Sequence, residues 1–364
     1  PTVMAADGKP MSKSRGNGVD PLKLMEDYGA DGMRFGLLMQ VTGAQDLKFN
    51  ENKLVSSRNF ANKIRNAARF VMMNLDDYTP GAPDPTTPAD RWIFSRLARL
   101  VASIDEAYKE YEFSDMTREL YAFFWNEFCD WYIELSKPRL AAGGQDRAAC
   151  QRNLVFVLDT ALRLLHPAMP FVTEQIYQDM PGEKDSPYLM MAAWPDAEEL
   201  AAYIDPAAER ALAIVTQSVS GIRSIRARYG ISPKTKLEMT VKAQSAEAVQ
   251  LFEEQQNLIV ALGNVEVVAV SETAEKPAES TMRLADDVEI YVALSGLVDF
   301  AAEQARIEKE LGKLEKDRVK FDKKLSNPGF LSKAAPEIIE KDRAKLADIV
   351  ERMDRLQAEL AEMK

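Results

Sequence analysis

Histidine is nearly missing: His166 is the single one in 364 residues. A Ser-His-Asp triad with a choice of base, a zinc-protease motif and any histidine-based metal cluster are thereby excluded. Cysteine is almost as scarce. Cys129 and Cys150 lack CxxC spacing, which removes disulfide frameworks and cysteine zinc sites and leaves two thiols expected in the core. No apolar run approaches the ~18 to 20 residues that cross a bilayer, and no signal-peptide pattern opens the sequence, so a cytoplasmic location without a membrane partner is expected. A surplus of basic charge is lacking too, since 46 Lys and Arg stand against 57 Asp and Glu, a net charge of -11. That argues against a uniformly basic nucleic-acid coat and leaves room for a local basic patch.

What remains is a globular composition, 46% hydrophobic and 28% charged, sufficient for two or three folded units with ample core. The chain opens Pro1-Thr2-Val3-Met4, without an initiator methionine, directly before a loop rich in Gly, Lys and Ser. It is expected to be part of a longer protein.

The pattern predicts a mainly α architecture. A polar loop over residues 8 to 20 precedes a helix opened by Pro21 and carrying Leu22, Leu24 and Met25. Phe60, Ile64, Ala67, Ala68 and Val71 mark one face of a long helix that ends in a Pro- and Thr-rich loop over 79 to 88. A second helix carries Ile93, Leu97, Leu100, Val101, Ile104, Tyr108 and Tyr111. A third carries Leu120, Phe123, Phe124, Phe128, Trp131, Tyr132 and Leu135, closed by Pro138. A fourth places Leu154, Val157, Leu158, Ala161 and Leu165 inward and stops at His166-Pro167. Such helices joined by short loops make a bundle. After Trp194-Pro195, a helix over 206 to 229 leads into β-rich runs at 237 to 241, 265 to 270 and 288 to 294, with a helix over 246 to 262 between the first two. A small α/β domain is predicted there.

The last segment has two narrow apolar seams, Ile307, Leu311, Leu314, Phe321 and Leu325, then Leu346, Ile349, Met353, Leu356, Leu360 and Met363. Ser326-Asn327-Pro328-Gly329-Phe330 breaks between them, so the helices bury the seam by folding back into an antiparallel coiled coil. This arm holds 15 basic and 15 acidic residues. Lys309, Lys313, Lys316, Lys320 and Lys323 step by three and four, two residues out of phase with the seam and hence roughly 200° around the helix from it. The stripe is either a solvated face with i,i+4 ion pairs or a surface that tracks phosphates.

Gly8-Lys9-Pro10-Met11-Ser12-Lys13-Ser14-Arg15-Gly16-Asn17 carries the chemistry. Its amides, hydroxyls and ammonium could gather around a polyphosphate, or it could be a solvated surface loop. The Walker A order and a G-x-G-x-x-G are both absent. Met11-Ser12-Lys13-Ser14, with Gly16-Asn17, Asp20-Pro21, Tyr28-Gly29-Ala30-Asp31 and Arg34-Phe35 after it, resembles the KMSKS signature loop of class I aminoacyl-tRNA synthetases. Arg58-Asn59-Phe60-Ala61-Asn62-Lys63, Asn66-Ala67-Ala68-Arg69-Phe70, Phe128-Cys129-Asp130-Trp131-Tyr132, Lys137-Pro138 and Leu165-His166-Pro167-Ala168-Met169-Pro170-Phe171 resemble the anticodon-binding bundle of the valyl-tRNA synthetases, and the terminal hairpin resembles their coiled-coil arm. Isoleucyl and leucyl enzymes share the loop and bundle but not this hairpin.

The resemblance implies an ATP-dependent valine-tRNA ligase, with Mg-ATP, valine and tRNA as partners, working as a monomer. Residues 1–45 would close the catalytic domain, 46–200 form the anticodon-binding bundle, 201–296 an α/β linker and 297–364 the tRNA-binding arm. Lys13 would stabilise departing pyrophosphate, with Met11, Ser12 and Ser14 completing the ATP loop. Pro10 stands where the family has its first lysine, although Lys9 is one place earlier. Asn66, Arg69, Phe70, Ile133 and Glu134 would meet the anticodon, core packing being the competing reading for Phe70 and Trp131. Lys313, Lys316, Lys320, Lys323, Arg343 and Lys345 would meet the outer corner of the tRNA. No metal site in the protein itself is implied. The paired-histidine signature cannot be drawn from His166 alone, so a structural role is expected for it, and the isolated chain is expected to be inactive. A stand-alone tRNA-binding or scaffold protein, an RNA-free coiled-coil protein, and an isoleucyl or leucyl relative are the alternatives.

Overall fold

A β-strand of two residues, β1 (Val3–Met4), starts the first of two units, 1–212 and 213–364, in a computed structural model that describes residues 2–362 apart from 42, 44, 183 and 332–335. Asp20 caps α1 (Pro21–Tyr28) by accepting from the Leu22 amide at 2.9 Å. Gly29 then breaks the chain before α2 (Ala30–Leu38), so the single helix expected after Pro21 is a pair, and Leu22 is exposed. β2 (Leu47–Lys48) pairs in parallel with β1.

Asn50 caps α3 (Glu51–Met73), whose Phe60, Ile64, Ala67, Ala68 and Val71 are buried as the periodicity predicts. It lies close against α2, because Gly32 and Gly36 have no side chain. A β-carbon at Gly36 would meet the Leu54 Cα at 3.1 Å, and one at Gly32 the Arg58 backbone at 3.3 Å.

α4 (Pro88–Lys109) begins with a capping box between Thr87 and Asp90. It stops before Tyr111, which adopts a left-handed φ of 58° and is exposed rather than part of the apolar face, since the Glu112 amide closes the helix end on the Ala107 carbonyl at 2.8 Å. The third expected helix is α5 (Phe113–Ala122), a stretch of wider π-helical turns over Phe123–Tyr132, and α6 (Ile133–Ala142). Pro138 does not close it. A proline removes a single amide donor, and the helix continues four residues beyond it.

α7 (Gly144–Leu165) and α8 (Pro170–Asp179) complete the bundle, joined by the His166-Pro167 corner, where His166 Nδ1 and Thr173 Oγ1 are 2.8 Å apart. Burial lowers His166 below its ordinary imidazole value, against the opposing pull of Glu174 and Asp31. α9 (Ala197–Leu200) is one short turn, and α10 (Pro206–Tyr229) leads the chain into the second unit.

A fully buried carboxylate ties the bundle together. Asp90 accepts from Tyr132 Oη at 2.7 Å, from Arg139 Nη1 at 2.7 and 2.8 Å, and from Thr87. Burial and the Asp90 charge push Tyr132 well above the usual phenol value.

In the second unit β3 (Leu237–Ala243) connects through α11 (Ala246–Gly263) to the parallel strand β4 (Val265–Ser271). β5 (Ser280–Ala285) and β6 (Val288–Ala293) form a hairpin, giving the order β4-β3-β6-β5. Arg226 of α10 is buried and donates to the carbonyls of Ser232, Gly263 and Asn264 at 2.9 to 3.1 Å. It secures the C-terminal end of α11 to that of α10. The chain closes with α12 (Phe300–Leu325), α13 (Pro328–Leu331) and α14 (Pro336–Glu362).

α12 and α14 are antiparallel. Lys324 pairs with Asp342 at 2.6 Å, Lys345 lies 5.9 Å from the Phe321 ring, and Arg352 pairs with Glu310. Ile307, Met353 and Leu356 are buried in the seam, while Met363 lies outside the described residues. No helix among the described residues is long and apolar enough to cross a membrane.

Candidate functional site

The loop after β1 has a fixed root and an open tip. Ala5 donates to the Lys9 carbonyl at 2.9 Å, and Met4 bridges Pro10, so the missing amide of Pro10 falls where the root is already closed. Met11 packs against the Leu24, Phe49 and Leu54 cluster, which makes its side chain an anchor rather than a presented group. Asn17 clasps the loop: its Oδ1 accepts from the Ser12 amide at 2.9 Å, and its Nδ2 donates to the Pro10 carbonyl at 3.2 Å. Ser12 Oγ and Ser14 Oγ are 3.2 Å apart.

Between them Lys13 starts a short 3₁₀ turn ended by Gly16 at φ +62°. Lys13 is exposed and has no ion-pair partner among the described residues. Lys9 lies 3.6 Å from Asp7, whose carboxyl is held below the usual range by the Lys9 amide. The loop thus offers one free ammonium flanked by two hydroxyls, a set that suits an incoming polyphosphate. No group of three or more acidic, histidine or cysteine side chains able to hold a metal occurs among the described residues.

A second cluster lies on the outer face of α3. Asn66 and Arg69 are exposed and joined by a 3.2 Å hydrogen bond, and Phe70 is half-buried. Lys137 of α6 lies 5.9 Å from the Phe70 ring centroid and pairs with Glu134 at 2.6 Å. The structure therefore brings Phe70 and Glu134 to one surface, with Lys137 between them.

Ile133 does not join them. At 6% exposure it packs into the core, because the turn that directs Glu134 outward directs its neighbour inward. Trp131 is half-buried.

On the arm, Lys309, Lys313, Lys316, Lys320 and Lys323 are all exposed, and none has an ion-pair partner among the described residues. The arginines of the same helix behave differently. Arg306 pairs with Glu303 and Glu310, and Arg318 with Glu315 and Asp322. Of the two acids spaced three or four residues from stripe lysines, Glu310 pairs with Arg306 and Arg352, and Asp317 forms no ion pair among the described residues, so the stripe lacks the i,i+4 pairs of a merely solvated face. Arg343 pairs with Glu340 at 3.3 Å, and Lys345 is exposed.

Residues 2–50 match the family model of class I tRNA synthetases (I, L, M and V), and residues 90–241 that of the anticodon-binding domain of tRNA ligase. Residues 299–364 match the valyl tRNA synthetase tRNA binding arm. The valine–tRNA ligase of Geobacter sulfurreducens is 39% identical over 367 residues, covering 100% of this chain and 41% of that protein. The chain belongs to the valine–tRNA ligase family. The ligases of Syntrophotalea carbinolica and Thermotoga maritima are each 39% identical as well, over 99% and 98% of this chain and 40% of each protein. The chain thus spans about two fifths of the length of the curated relatives it matches.

Within this valine–tRNA ligase framework, two neighbours of the expected residues went unassigned in the sequence. Asn17 entered only as part of the Gly16-Asn17 step of the loop resemblance, and Lys137 only as part of the Lys137-Pro138 step of the bundle resemblance. Their roles depend on which residue each side chain reaches, and pattern does not encode that.

Proposed function

We propose that this chain works as part of a valine–tRNA ligase, supplying the phosphate loop, the anticodon reader and an arm for the outer corner of tRNA. We divide it at 1–45, 46–200, 201–296 and 297–364 for the end of the catalytic domain, the bundle, the linker and the arm. The reading rests on one observation above all: Lys13 between two serines and the arm's stripe of Lys309, Lys313, Lys316, Lys320 and Lys323 occur on one chain, all without ion pairs among the described residues.

In the first half-reaction the valine carboxylate attacks the α-phosphorus of ATP and pyrophosphate leaves. Lys13 stabilises the charge that builds on the departing group, acting electrostatically and moving no proton. Ser12 and Ser14 donate to phosphate oxygens, and Met11 and Asn17 hold the loop's root. Mg²⁺ arrives with ATP and is held by its phosphates.

In tRNA recognition an unpaired base stacks on Phe70, while Asn66, Arg69 and the Glu134–Lys137 pair address its polar edge. Phe70→Ala is expected to weaken binding of valine tRNA by about 1 to 3 kcal/mol, the range for one lost base–aromatic stack, read by filter binding. An affinity unchanged by that substitution would make Phe70 a packing residue.

Lys313, Lys316, Lys320, Lys323, Arg343 and Lys345 contact phosphates without reading sequence. Removing residues from 299 onward is expected to weaken tRNA binding and flatten its salt dependence while leaving valine activation intact. Equal affinity with and without the arm sinks this assignment. The wider reading is tested by a gel shift of the chain with valine tRNA against one with a changed anticodon. Valine-dependent ATP–pyrophosphate exchange by the complete enzyme, acting as a cytoplasmic monomer, tests the catalytic part.

A further inference from the structure

A cavity of about 260 Å³ opens on α7, between the chain that leaves α3 and the turn that follows α8. Arg152, Phe156 and Asp159 line it from α7 at steps of four and three, hence from one helix face. Tyr78 lines it from the first connection and Met180 from the second. The cavity shares no residue with the Lys13 loop, the Phe70 surface or the arm.

Opposite charges on this face are held apart, and each has one occupied side and one unused side. Arg152 and Asp159 are seven positions apart, about 10 Å along the helix axis. Arg152 donates through Nε to the Ala82 carbonyl at 3.0 Å, and its two terminal nitrogens have no partner among the described residues. Gly81 leaves room for that stem, since a β-carbon there would stand 3.1 Å from Arg152 Cδ. Asp159 accepts on Oδ2 from Arg163 Nε at 2.8 Å, and its Oδ1 has no partner among the described residues. The rest of the Arg163 guanidinium is engaged by Asp185 at 2.7 and 2.9 Å and by the Ala193 carbonyl at 2.8 Å. Burial raises the Asp159 carboxyl above its usual range, against the pull of Arg163.

The Tyr78 hydroxyl is a third unmatched group. The residue is half-buried, has no side-chain hydrogen bond among the described residues, and lies near enough to Arg152 that this charge opposes the rise that burial imposes on the phenol. Between the polar ends the lining is flat. Phe156 stacks on Phe94 with centroids 5.1 Å apart and planes at 10°, and the Tyr78 ring edge would lie 3.8 Å from a β-carbon at Gly182. A volume just under the ~300 Å³ at which small-molecule sites begin suits one ring rather than two.

We propose that this cavity binds a nucleoside 5′-monophosphate whose base is a single ring carrying an exocyclic amine. The phosphate accepts from the Arg152 terminal nitrogens and the Tyr78 hydroxyl, the ring lies beside Phe156, and the amine donates to Asp159 Oδ1. A base with a carbonyl at that edge sets one acceptor against another and is disfavoured.

The test is equilibrium dialysis of the complete ligase against CMP, with UMP, cytidine and inorganic phosphate as comparisons. CMP is expected to bind at least about tenfold more tightly than each of them, the fold-change of one charge-assisted hydrogen bond. Tyr78→Phe removes only the hydroxyl and is expected to weaken CMP about tenfold. Asp159→Asn can donate to a carbonyl, so the preference is expected to reverse from CMP to UMP, whereas a merely structural role would lower both alike. CMP binding is expected to survive Lys13→Ala and saturating valine tRNA.

UMP, cytidine or phosphate binding as tightly as CMP overturns the proposal. So does an unchanged CMP-to-UMP ratio in Asp159→Asn, or an unchanged CMP affinity in Tyr78→Phe, which alone decides if Asp159→Asn loses its urea transition. Loss of CMP in Lys13→Ala moves the nucleotide to the phosphate loop, and displacement by valine tRNA makes the cavity part of the tRNA surface. Either result overturns it.

Discussion

Replacing Lys13 with alanine in the complete enzyme is expected to slow valyl-adenylate formation by roughly 10²-fold or more, the typical cost of removing one preorganised donor from a developing negative charge. Lys13 is exposed, has no ion pair among the described residues to break, and sits on a turn whose root is closed by the Asn17 clasp. Its ammonium can therefore reach a leaving group without first abandoning another partner. In the proposed role the charge it would meet is largest as pyrophosphate departs, so the loss should fall on kcat more than on the KM for ATP. Lys9→Ala provides the comparison. Lys9 stands near the position of the family's first lysine but beside Asp7, so its loss should cost less. Single-turnover adenylate formation measures both, and an unchanged rate for Lys13→Ala removes it from the mechanism.

Asp90→Ala is expected to destabilise the first unit by roughly 3 to 5 kcal/mol, the usual penalty for stripping one partner from a buried charge pair. Asp90 is fully buried and Arg139 nearly so, and the Arg139 Nη2 atom already lacks a hydrogen-bond partner. Without the carboxylate, the guanidinium, the Tyr132 hydroxyl and the Thr87 side chain lose their shared acceptor together. All four tryptophans, Trp92, Trp125, Trp131 and Trp194, belong to the first unit, so their fluorescence during urea unfolding follows that unit alone. Glu134→Ala removes the exposed partner of Lys137 and should change stability by less than about 1 kcal/mol. If Asp90→Ala unfolds at the same urea concentration as wild type, the network does not hold the bundle.

The main helices could be read from the spacing of their apolar residues, because each buries one face and that requirement is written at every third or fourth position. The inner face of α3 and the arm seam are examples. The wide turns over Phe123–Tyr132 were not legible, since their aromatic residues also fit ordinary helical spacing and the register is set by Tyr132 reaching Asp90, 42 residues away. β5 was missed for a related reason. Ser280, Thr281, Met282 and Arg283 do not alternate cleanly, and the strand is defined by pairing with β6.

At the candidate site the exposed Lys13 and stripe lysines and the half-buried Phe70 had been singled out by residue type and motif. Ile133 was misplaced because a one-residue step on a helix turns a side chain by about 100°, from surface to core.

The near-contact of α2 and α3 at Gly32 and Gly36 sets a limit on how this sequence can drift. Alanine at Gly36 is the smallest available change, yet its methyl group would press on a neighbouring main chain that cannot rotate aside as a side-chain tip can. Any lineage that fills this crevice must push the two rods apart by a few tenths of an ångström, so the position resists even conservative replacement.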